Sequence, residues 1–308
     1  MRRIVFRRHG GPEVLEIEQT ERPALADGEV LVEVDAIGVS LPIVRLSRSE
    51  SAELPQSPGG EVVGRVAATG PGVTDFHLGQ RVDGLAFHGA YAEFTRVAAP
   101  FLAPVPDGVD DAAAVSLVRG GQVALGTLRA SAMQPGESVL ITAAAGAVGH
   151  LAIQLAKAFG ASRVVAAVGD DRKADFLRGI GADEVIRYDQ TAEAPVDVVL
   201  DGAGGEAQNA ALHQLAPFGR LVSFNAAGEK VDVNELRLHG RSIIGFAMAH
   251  LAGRRPEVYA RHREELWDLH QQGVLKPAIH ATLPLAQAAE AHRIMEARAN
   301  LGKIVLTP

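Results

Sequence analysis

The chain contains no cysteine in its 308 residues. This absence excludes disulfide bonds, thiol nucleophiles and every zinc site that needs a cysteine ligand. The sequence also lacks an uncharged apolar run of about 18 residues, the length that a membrane-spanning helix needs. Its first residues, MRRIVFRRHGG, include no apolar stretch of signal-peptide length. We therefore expect a cytoplasmic protein without a membrane span.

Basic runs are missing as well, and the formal net charge is -7. Both features argue against a nucleic acid as the main partner. A hydrophobic content of 47% and 33 glycines are typical of a soluble α/β protein, and a length of 308 residues suggests two domains. The partner that we expect is a small-molecule substrate.

The chain changes its pattern near residue 119. Before this point, alternating or β-branched runs predict strands at residues 14–19, 29–37, 61–69, 80–83 and 90–98. Strands spaced so closely indicate a partly closed antiparallel barrel. After it, helices alternate with strands predicted at residues 138–142, 163–168, 184–186, 197–200, 220–224 and 242–246. This alternation predicts a parallel, doubly wound sheet that binds its ligand at the carboxyl ends of the strands.

A glycine turn, Ala144-x-Gly146-x-x-Gly149, joins the first strand of that sheet to a helical pattern. Strand, turn and helix in this order are the context in which such glycines bind a dinucleotide. Gly146 would let the backbone approach a pyrophosphate, and Gly149 would let the helix pack closely on the strand. The alternative is a tight turn that binds nothing. The predicted site is made of Ala145, Gly146, Ala147, Val148 and Gly149, with the helix beginning at Ala147.

The residues after the second parallel strand bear on the choice of cofactor. The strand at 163–168 ends in Gly169 and Asp170, and Arg172 and Lys173 follow. An acidic residue here usually binds the ribose hydroxyls of NAD, whereas a basic group accommodates the 2′-phosphate of NADP. Lys173 favours NADPH over NADH, because its charge opposes that of a phosphate. The alternative is that Asp170 caps the next helix while Arg172 and Lys173 are solvated.

The chain contains the segments HGGPEVLEIE, SPGGEVVGRVAATGPGVTDFHLGQRV, GAYAEF, AAAGAVG and VGDDRKADFLRGIGADEVIRY. Together they resemble the medium-chain dehydrogenase/reductase superfamily, in its zinc-free quinone oxidoreductase branch. The resemblance implies a GroES-like catalytic domain, residues 1–118 and 254–308, into which a Rossmann dinucleotide-binding domain, residues 119–253, is inserted. It implies that Lys173 and Tyr188 contact the 2′-phosphate of NADPH, and that a homodimer forms through the edge strand at 242–246. Relatives usually have Ser or Thr at the place of Asp170.

The resemblance also bears on zinc. Zinc alcohol dehydrogenases place a Cys and a His where this chain has Ser40 and Gly60, and neither replacement binds zinc well. We interpret His88, His150 and His213 as surface or packing residues. Hydride transfer is therefore expected to proceed without a metal, with hydrogen bonds polarising the carbonyl or with a substrate that is already electrophilic.

Candidate pocket residues come from two arguments. The carboxyl ends of the parallel strands place Ala203, Phe224, Asn225 and Phe246 on the nicotinamide side, with ordinary strand-end turns and core aromatics as the alternative. The resemblance implies a pocket in which relatives usually have an Asn at the place of Ser40, a Tyr close to the place of Arg45 and a Thr at the place of Gln122. This pocket is therefore chemically unusual. Arg45 either binds an anionic substrate or is solvated, and Tyr91 either donates a proton or packs.

The most concrete hypothesis is an NADPH-dependent reductase that passes hydride to a quinone or another conjugated carbonyl. A second hypothesis is a specialised enoyl thioester reductase or cyclase that acts on a polyketide-like substrate. A third is a sensor or structural protein that binds NADPH without turnover.

Overall fold

The computed structural model describes residues 1–225 and 230–308. These residues form two compact units. The first consists of residues 1–119 and 278–308, and the second of residues 120–277. The chain therefore leaves the first unit once, builds the second as a continuous segment, and returns.

The described elements are numbered in chain order. The strands are β1 Arg2–Val5, β2 Glu16–Gln19, β3 Glu29–Val39, β4 Gly60–Thr69, β5 Arg81–Ala86, β6 Phe94–Ala98, β7 Leu102–Pro104, β8 Ser138–Thr142, β9 Arg163–Val168, β10 Glu184–Arg187, β11 Val196–Asp201, β12 Leu215–Ser223, β13 Ser242–Gly245, β14 Ile279–Pro284 and β15 Lys303–Thr307. The α-helices are α1 Leu41–Leu46, α2 Asp111–Ser116, α3 Gln122–Ala130, α4 Gly149–Ala158, α5 Ala174–Gly179, α6 Gly205–His213, α7 Val233–His239, α8 Met248–Arg254, α9 Pro256–Gln271 and α10 Ala288–Glu296.

The first unit is β-rich, as the sequence predicts. Its larger sheet has the order β14-β15-β3-β4-β5-β7, and β6 pairs with β3. The pairs are antiparallel except for β14 with β15. Val30, Val32 and Val34 are buried while Glu33 between them is exposed, because alternate side chains of a strand point to opposite faces.

The second unit contains the predicted parallel sheet, in the order β10-β9-β8-β11-β12-β13 with parallel neighbours throughout its described strands. This confirms the Rossmann-type fold, whose strand order is 3-2-1-4-5-6. Every residue of β8 is buried, as expected of a parallel strand with both faces covered. The order reverses between β8 and β11, and a crevice at the carboxyl ends of these two strands is the place for a dinucleotide.

Two boundaries differ from the sequence prediction. Helix α9 was expected in the first domain but lies in the second unit. There the Gln122 side chain donates to the Tyr259 carbonyl at 3.0 Å, and Arg129 pairs with Glu265, so α9 is held by α3. The second difference is at the glycine turn, where α4 begins at Gly149 rather than Ala147, and Val148 is its cap residue.

Candidate functional site

The glycine turn between β8 and α4 is a tight backbone structure. A Cβ on Gly149 would lie 2.5 Å from the Ala143 oxygen and 2.6 Å from the Ala144 Cα, so only glycine lets α4 approach the end of β8 so closely. A Cβ on Gly146 would meet only the Ala143 oxygen, at 3.2 Å. The missing side chain of Gly146 therefore leaves the space outside the turn open, whereas it is not needed for packing within the turn.

The turn also presents unused hydrogen-bond donors. The N–H groups of Ala147, Val148 and Gly149 have no acceptor among residues 1–225 and 230–308, and Ala147 and Val148 are only half-buried. Donors at the start of a helix, together with the helix dipole, bind anions such as phosphate. Both the open space at Gly146 and these donors fit the pyrophosphate of a dinucleotide.

Two buried contacts hold the turn in place. His150 lies within α4 and is fully buried, with Nδ1 2.8 Å from the Gly146 oxygen. Because a carbonyl only accepts, Nδ1 carries the proton of this hydrogen bond. On the other side, Gly120 lies so close to the Ala147 carbonyl that a Cβ added to this glycine would be 2.9 Å from the Ala147 oxygen. Gly120 belongs to the π-helical segment Leu117–Gly121, a distortion that often occurs at functional sites.

The ends of β8 and β11 are joined by a polar network. The buried Thr142 hydroxyl donates to Asp201 Oδ1 at 2.6 Å and accepts from the Gly202 and Ala203 amides at 2.9 and 3.1 Å. The Asp201 carboxylate also accepts from the Ala203 and Gly204 amides. No motif in the sequence predicted this role of Thr142, whose only signal was a hydroxyl residue at the last position of an apolar strand.

Three predicted nicotinamide-side residues come together beside this network. The Phe224 ring covers Gly202, where an added Cβ would lie 2.4 Å from Cζ, and Asn225 Nδ2 donates to the Gly202 oxygen at 2.9 Å. Ala203 follows Gly202 in the chain, and its amide donates to the Thr142 hydroxyl. Phe246 follows β13, where its N–H donates to the Ser223 oxygen and its ring packs on Gly126 of α3.

Gln122 is at the start of α3, one helical turn before Gly126. Its side chain is 1% exposed, and Nε2 is used in the bond to Tyr259. Its Oε1 is buried and, among the described residues, accepts no hydrogen bond. An unpaired buried carbonyl costs free energy unless a ligand or water completes it, so Gln122 offers an acceptor on the face of α3 that contacts Phe246.

The predicted adenosine side is grouped at the end of β9. Asp170 caps the 3-10 turn Asp171–Lys173 and pairs with Arg172, whose hydrogen bonds and charge hold the pKa of this carboxyl at about 2. Lys173 ends the same turn. Tyr188 lies against Gly169, and its hydroxyl accepts from the Ala143 N–H at 3.2 Å, at the first residue of the glycine turn. Asp170 thus makes the capping contact of the alternative interpretation, and its place beside the ribose of a cofactor stays a prediction.

Ser40, Arg45 and Tyr91 belong to the first unit. Ser40 occupies the N-cap position of α1 without a side-chain capping bond, and its buried hydroxyl has no hydrogen-bond partner in the part of the chain that is described. Arg45 is exposed in the same helix. Tyr91 is fully buried against Gly60, with its hydroxyl 3.1 Å from His292 Nε2. Burial raises the pKa of Tyr91 well above its usual value, and the nearby Glu61 carboxylate adds to this, so the placement favours packing over proton donation.

His292 is a buried titratable group of the first unit, from which we expect a sensitivity to acid. Burial lowers its pKa from 6.5 to about 4, and the charge of Glu296 opposes this only in part. Between these two pH values the unfolded chain binds a proton that the folded chain does not, so the free energy of unfolding falls as the pH drops from 6.5 to 4. We expect a loss of about 3 kcal/mol over this window, measured by urea unfolding.

His292→Gln keeps a partner for the Tyr91 hydroxyl but does not titrate. This variant should show a flatter pH dependence, by about one proton over the same window. His88→Gln, at an exposed histidine of the same unit, is the control and should keep the slope of the wild type. Equal slopes in His292→Gln and the wild type would contradict the prediction.

A buried ion pair that no sequence motif predicted lies in the same unit. The Lys303 ammonium is 3.2 Å from Glu61 Oε2, and the two side chains are 2% and 1% exposed. Both lie over Gly38, where a Cβ would come within 2.8 Å of the Lys303 Nζ. Burial lowers the pKa of Lys303, while the Glu61 charge opposes this shift. The available signal was a charged residue at the first or second position of each of two largely apolar strands.

Within residues 1–225 and 230–308, no three His, Asp or Glu side chains converge as metal ligands would. No helix in these ranges is both long enough and apolar enough to cross a membrane. His150 is buried within α4, while His88 and His213 are exposed.

Comparison with known proteins identifies the family. An alcohol dehydrogenase GroES-like domain matches residues 26–107, and a zinc-binding dehydrogenase domain matches residues 180–306. Quinone oxidoreductase of Pseudomonas aeruginosa is 33% identical over 100% of this chain and 99% of its own length. The structure of Escherichia coli quinone oxidoreductase complexed with NADPH has a TM-score of 0.92 and 30% identity, with 100% of both chains covered.

A mycocerosic acid synthase-like polyketide synthase of Mycobacterium tuberculosis is 30% identical over 99% of this chain, which covers 15% of that longer protein. The matches to quinone oxidoreductases, by contrast, cover the full length of both proteins and agree with the two-unit fold. The chain therefore belongs to the medium-chain dehydrogenase/reductase superfamily, in its quinone oxidoreductase branch.

Proposed function

We propose that this protein is an NADPH-dependent oxidoreductase that transfers hydride to a quinone or another conjugated carbonyl without zinc. The observation that carries the proposal is the glycine turn with its unused N–H groups, located where the strand order of the parallel sheet reverses. Full-length similarity to quinone oxidoreductases, one of them complexed with NADPH, supports the same activity.

The roles of the cofactor-binding residues follow from their places on the sheet. The turn residues Ala145, Gly146, Ala147, Val148 and Gly149 would hold the pyrophosphate, and Gly169, Asp170, Arg172, Lys173 and Tyr188 would surround the ribose phosphate. On the other side, Ala203, Phe224, Asn225 and Phe246 would form the wall beside the nicotinamide.

Bound NADPH would supply the hydride. The protein would position the acceptor, exclude water and stabilise the charge that develops on the carbonyl oxygen. Gln122 Oε1, a buried acceptor, would fix a donor group of the cofactor or the substrate. Ser40 and Arg45 stay candidate pocket residues of the first unit.

A reductase of α,β-unsaturated thioesters is the second candidate. It is favoured by the polyketide synthase relatives, of which this chain matches a 15% segment over nearly its whole length. The unusual residues Ser40, Arg45 and Gln122 also fit a substrate other than a simple quinone.

The test is NADPH oxidation by the purified protein with quinones and, separately, with α,β-unsaturated acyl thioesters. Turnover of quinones supports the proposal, and turnover of thioesters alone replaces it with the second candidate. Tight NADPH binding without oxidation by any acceptor would contradict both and leave a cofactor-binding protein without turnover.

We propose a homodimer through the edge of the second unit. Strand β13 ends the sheet there with Ile243 and Ile244 only half-buried, and Phe218, Val233 and Leu238 are 79%, 75% and 64% exposed. Unpaired strand edges and exposed apolar groups favour association. Sedimentation velocity should give a dimer, and a monomer at assay concentrations would contradict it. The cytoplasmic location stays a prediction.

A further inference from the structure

The segment that follows β9 carries acidic and basic residues close together, where the ribose of a cofactor is expected. Asp170 comes at the place where an acidic residue usually binds the two ribose hydroxyls of NAD. By sign alone, its carboxylate would bind NADH and repel a 2′-phosphate. The contacts that Asp170 makes lead to the opposite expectation.

Arg172 occupies most of the hydrogen-bonding capacity of the Asp170 carboxylate. Its Oδ1 accepts from the Arg172 N–H at 2.9 Å and from Nε at 3.1 Å, while its Oδ2 accepts from Nε at 2.8 Å and Nη2 at 2.5 Å. A carboxylate offers about four lone-pair positions. These four contacts therefore leave it little capacity to accept from ribose hydroxyls, and the positive guanidinium neutralises its charge.

Arg172 keeps donors for another acceptor. A guanidinium has about five N–H groups, and the contacts to Asp170 use Nε–H and one N–H of Nη2. The others have no partner within residues 1–225 and 230–308. The side chain is 87% exposed, so a ligand can reach it, while Asp170 holds its planar fork in one orientation. Such a fork suits the bidentate binding of phosphate.

We propose that the Asp170–Arg172 pair selects NADPH: Asp170 orients Arg172, and Arg172 both binds the 2′-phosphate and prevents Asp170 from binding NADH. This inference rests on the proposed function and adds its cofactor-selecting residues. It also explains how an acidic residue is compatible with NADPH where relatives usually have Ser or Thr. Lys173, at the end of the same turn, adds a second positive charge beside the pair.

The experiment measures the affinities for NADPH and NADH separately by calorimetry, in wild type and Arg172→Ala. Removal of charge-assisted hydrogen bonds should weaken NADPH binding roughly ten- to a hundredfold. NADH binding should become several times tighter, because Asp170 Oδ2 loses both guanidinium contacts and Oδ1 keeps only the N–H of residue 172, which leaves lone pairs for the ribose hydroxyls. An exposed ion pair contributes little to stability, so the midpoint of thermal unfolding should stay near that of the wild type.

The double variant Asp170→Asn/Arg172→Ala separates charge from mere loss of a side chain. It should recover part of the NADPH affinity and lose the gain in NADH affinity, because the released carboxylate is gone. Arg178→Ala is the matched control, an exposed arginine of α5 that pairs with Asp175. It should leave both affinities unchanged.

An unchanged ratio of NADPH to NADH affinity in Arg172→Ala would overturn the inference. If the wild type binds NADPH tightly in that case, the proposed function stands and only the selecting residue is wrong. A wild type that binds neither nucleotide would overturn the inference together with the proposed function.

Discussion

Gly149→Ala should both destabilise the second unit and abolish efficient turnover with NADPH. The new methyl group would meet backbone atoms of Ala143 and Ala144 at 2.5 and 2.6 Å, which have no room to yield. Helix α4 would have to move away from β8, at a cost of roughly 1–3 kcal/mol in the free energy of unfolding. The N–H groups of Ala147 and Val148 would move with it, and a displacement of about 1 Å is enough to lower turnover about a hundredfold. Urea unfolding and NADPH oxidation measure the two effects.

Two further glycines separate packing from binding. Gly146→Ala meets only the Ala143 oxygen, at 3.2 Å, so it should fold nearly normally and yet bind NADPH weakly, because its methyl group occupies the space outside the turn. Gly179→Ala, at the exposed end of α5, has nothing within 4 Å and should change neither property for the worse. If Gly149→Ala matched Gly179→Ala in both measurements, the close approach of α4 to β8 would not be required.

Lys303→Met should produce the largest loss of stability in the first unit. It removes the closer positive partner of Glu61 and leaves a carboxylate at 1% exposure whose remaining cation, Arg119, lies 4.0 Å away. Breaking a buried ion pair from one side costs about 3–5 kcal/mol, because the remaining charge has lost its solvation and its closest partner. Unfolding by urea, followed at neutral pH, measures this loss.

The double variant Lys303→Met/Glu61→Gln tests the physical reason. It removes both charges while keeping similar volumes, and it should regain most of the stability that Lys303→Met loses. Arg293→Met, in an exposed pair with Glu290, is the control and should change stability by less than about 1 kcal/mol. A double variant no more stable than Lys303→Met would show that packing of the lysine stem, rather than its charge, is what matters.

Local patterns were sufficient for most of the fold. The apolar run of β8 and the helical period of α4 depend on neighbours in the sequence. Strand β8 occurs where it was predicted, and α4 begins only two residues later than predicted. Strand β12 shows the limit, because it begins at Leu215 rather than 220 and includes Phe218 at a φ of 65°. Its register with β11 shifts between Val196 and Val198, and only the paired strand reveals this.

The unit to which α9 belongs was mispredicted for a different reason. The sequence predicts the buried face of this helix, which includes Tyr259, His262 and Leu266. It does not predict the surface that this face covers. An amphipathic face specifies that a helix is buried, without specifying its partner. The hydrogen bond from Gln122 across 137 residues is a property of the folded chain.

Residue type and short spacing were enough to predict the two classes of fold, the dinucleotide turn, the lack of cysteine ligands and the family. The side-chain contacts of the folded chain were needed to find that Arg172 uses both oxygens of Asp170, that Thr142 and Asp201 join two strand ends, and that Lys303 is buried against Glu61. These contacts matter because charge and hydrogen-bonding capacity are consumed by whichever partner lies closest in space. A residue's type states what it can bind, and its neighbours in the fold decide what remains available.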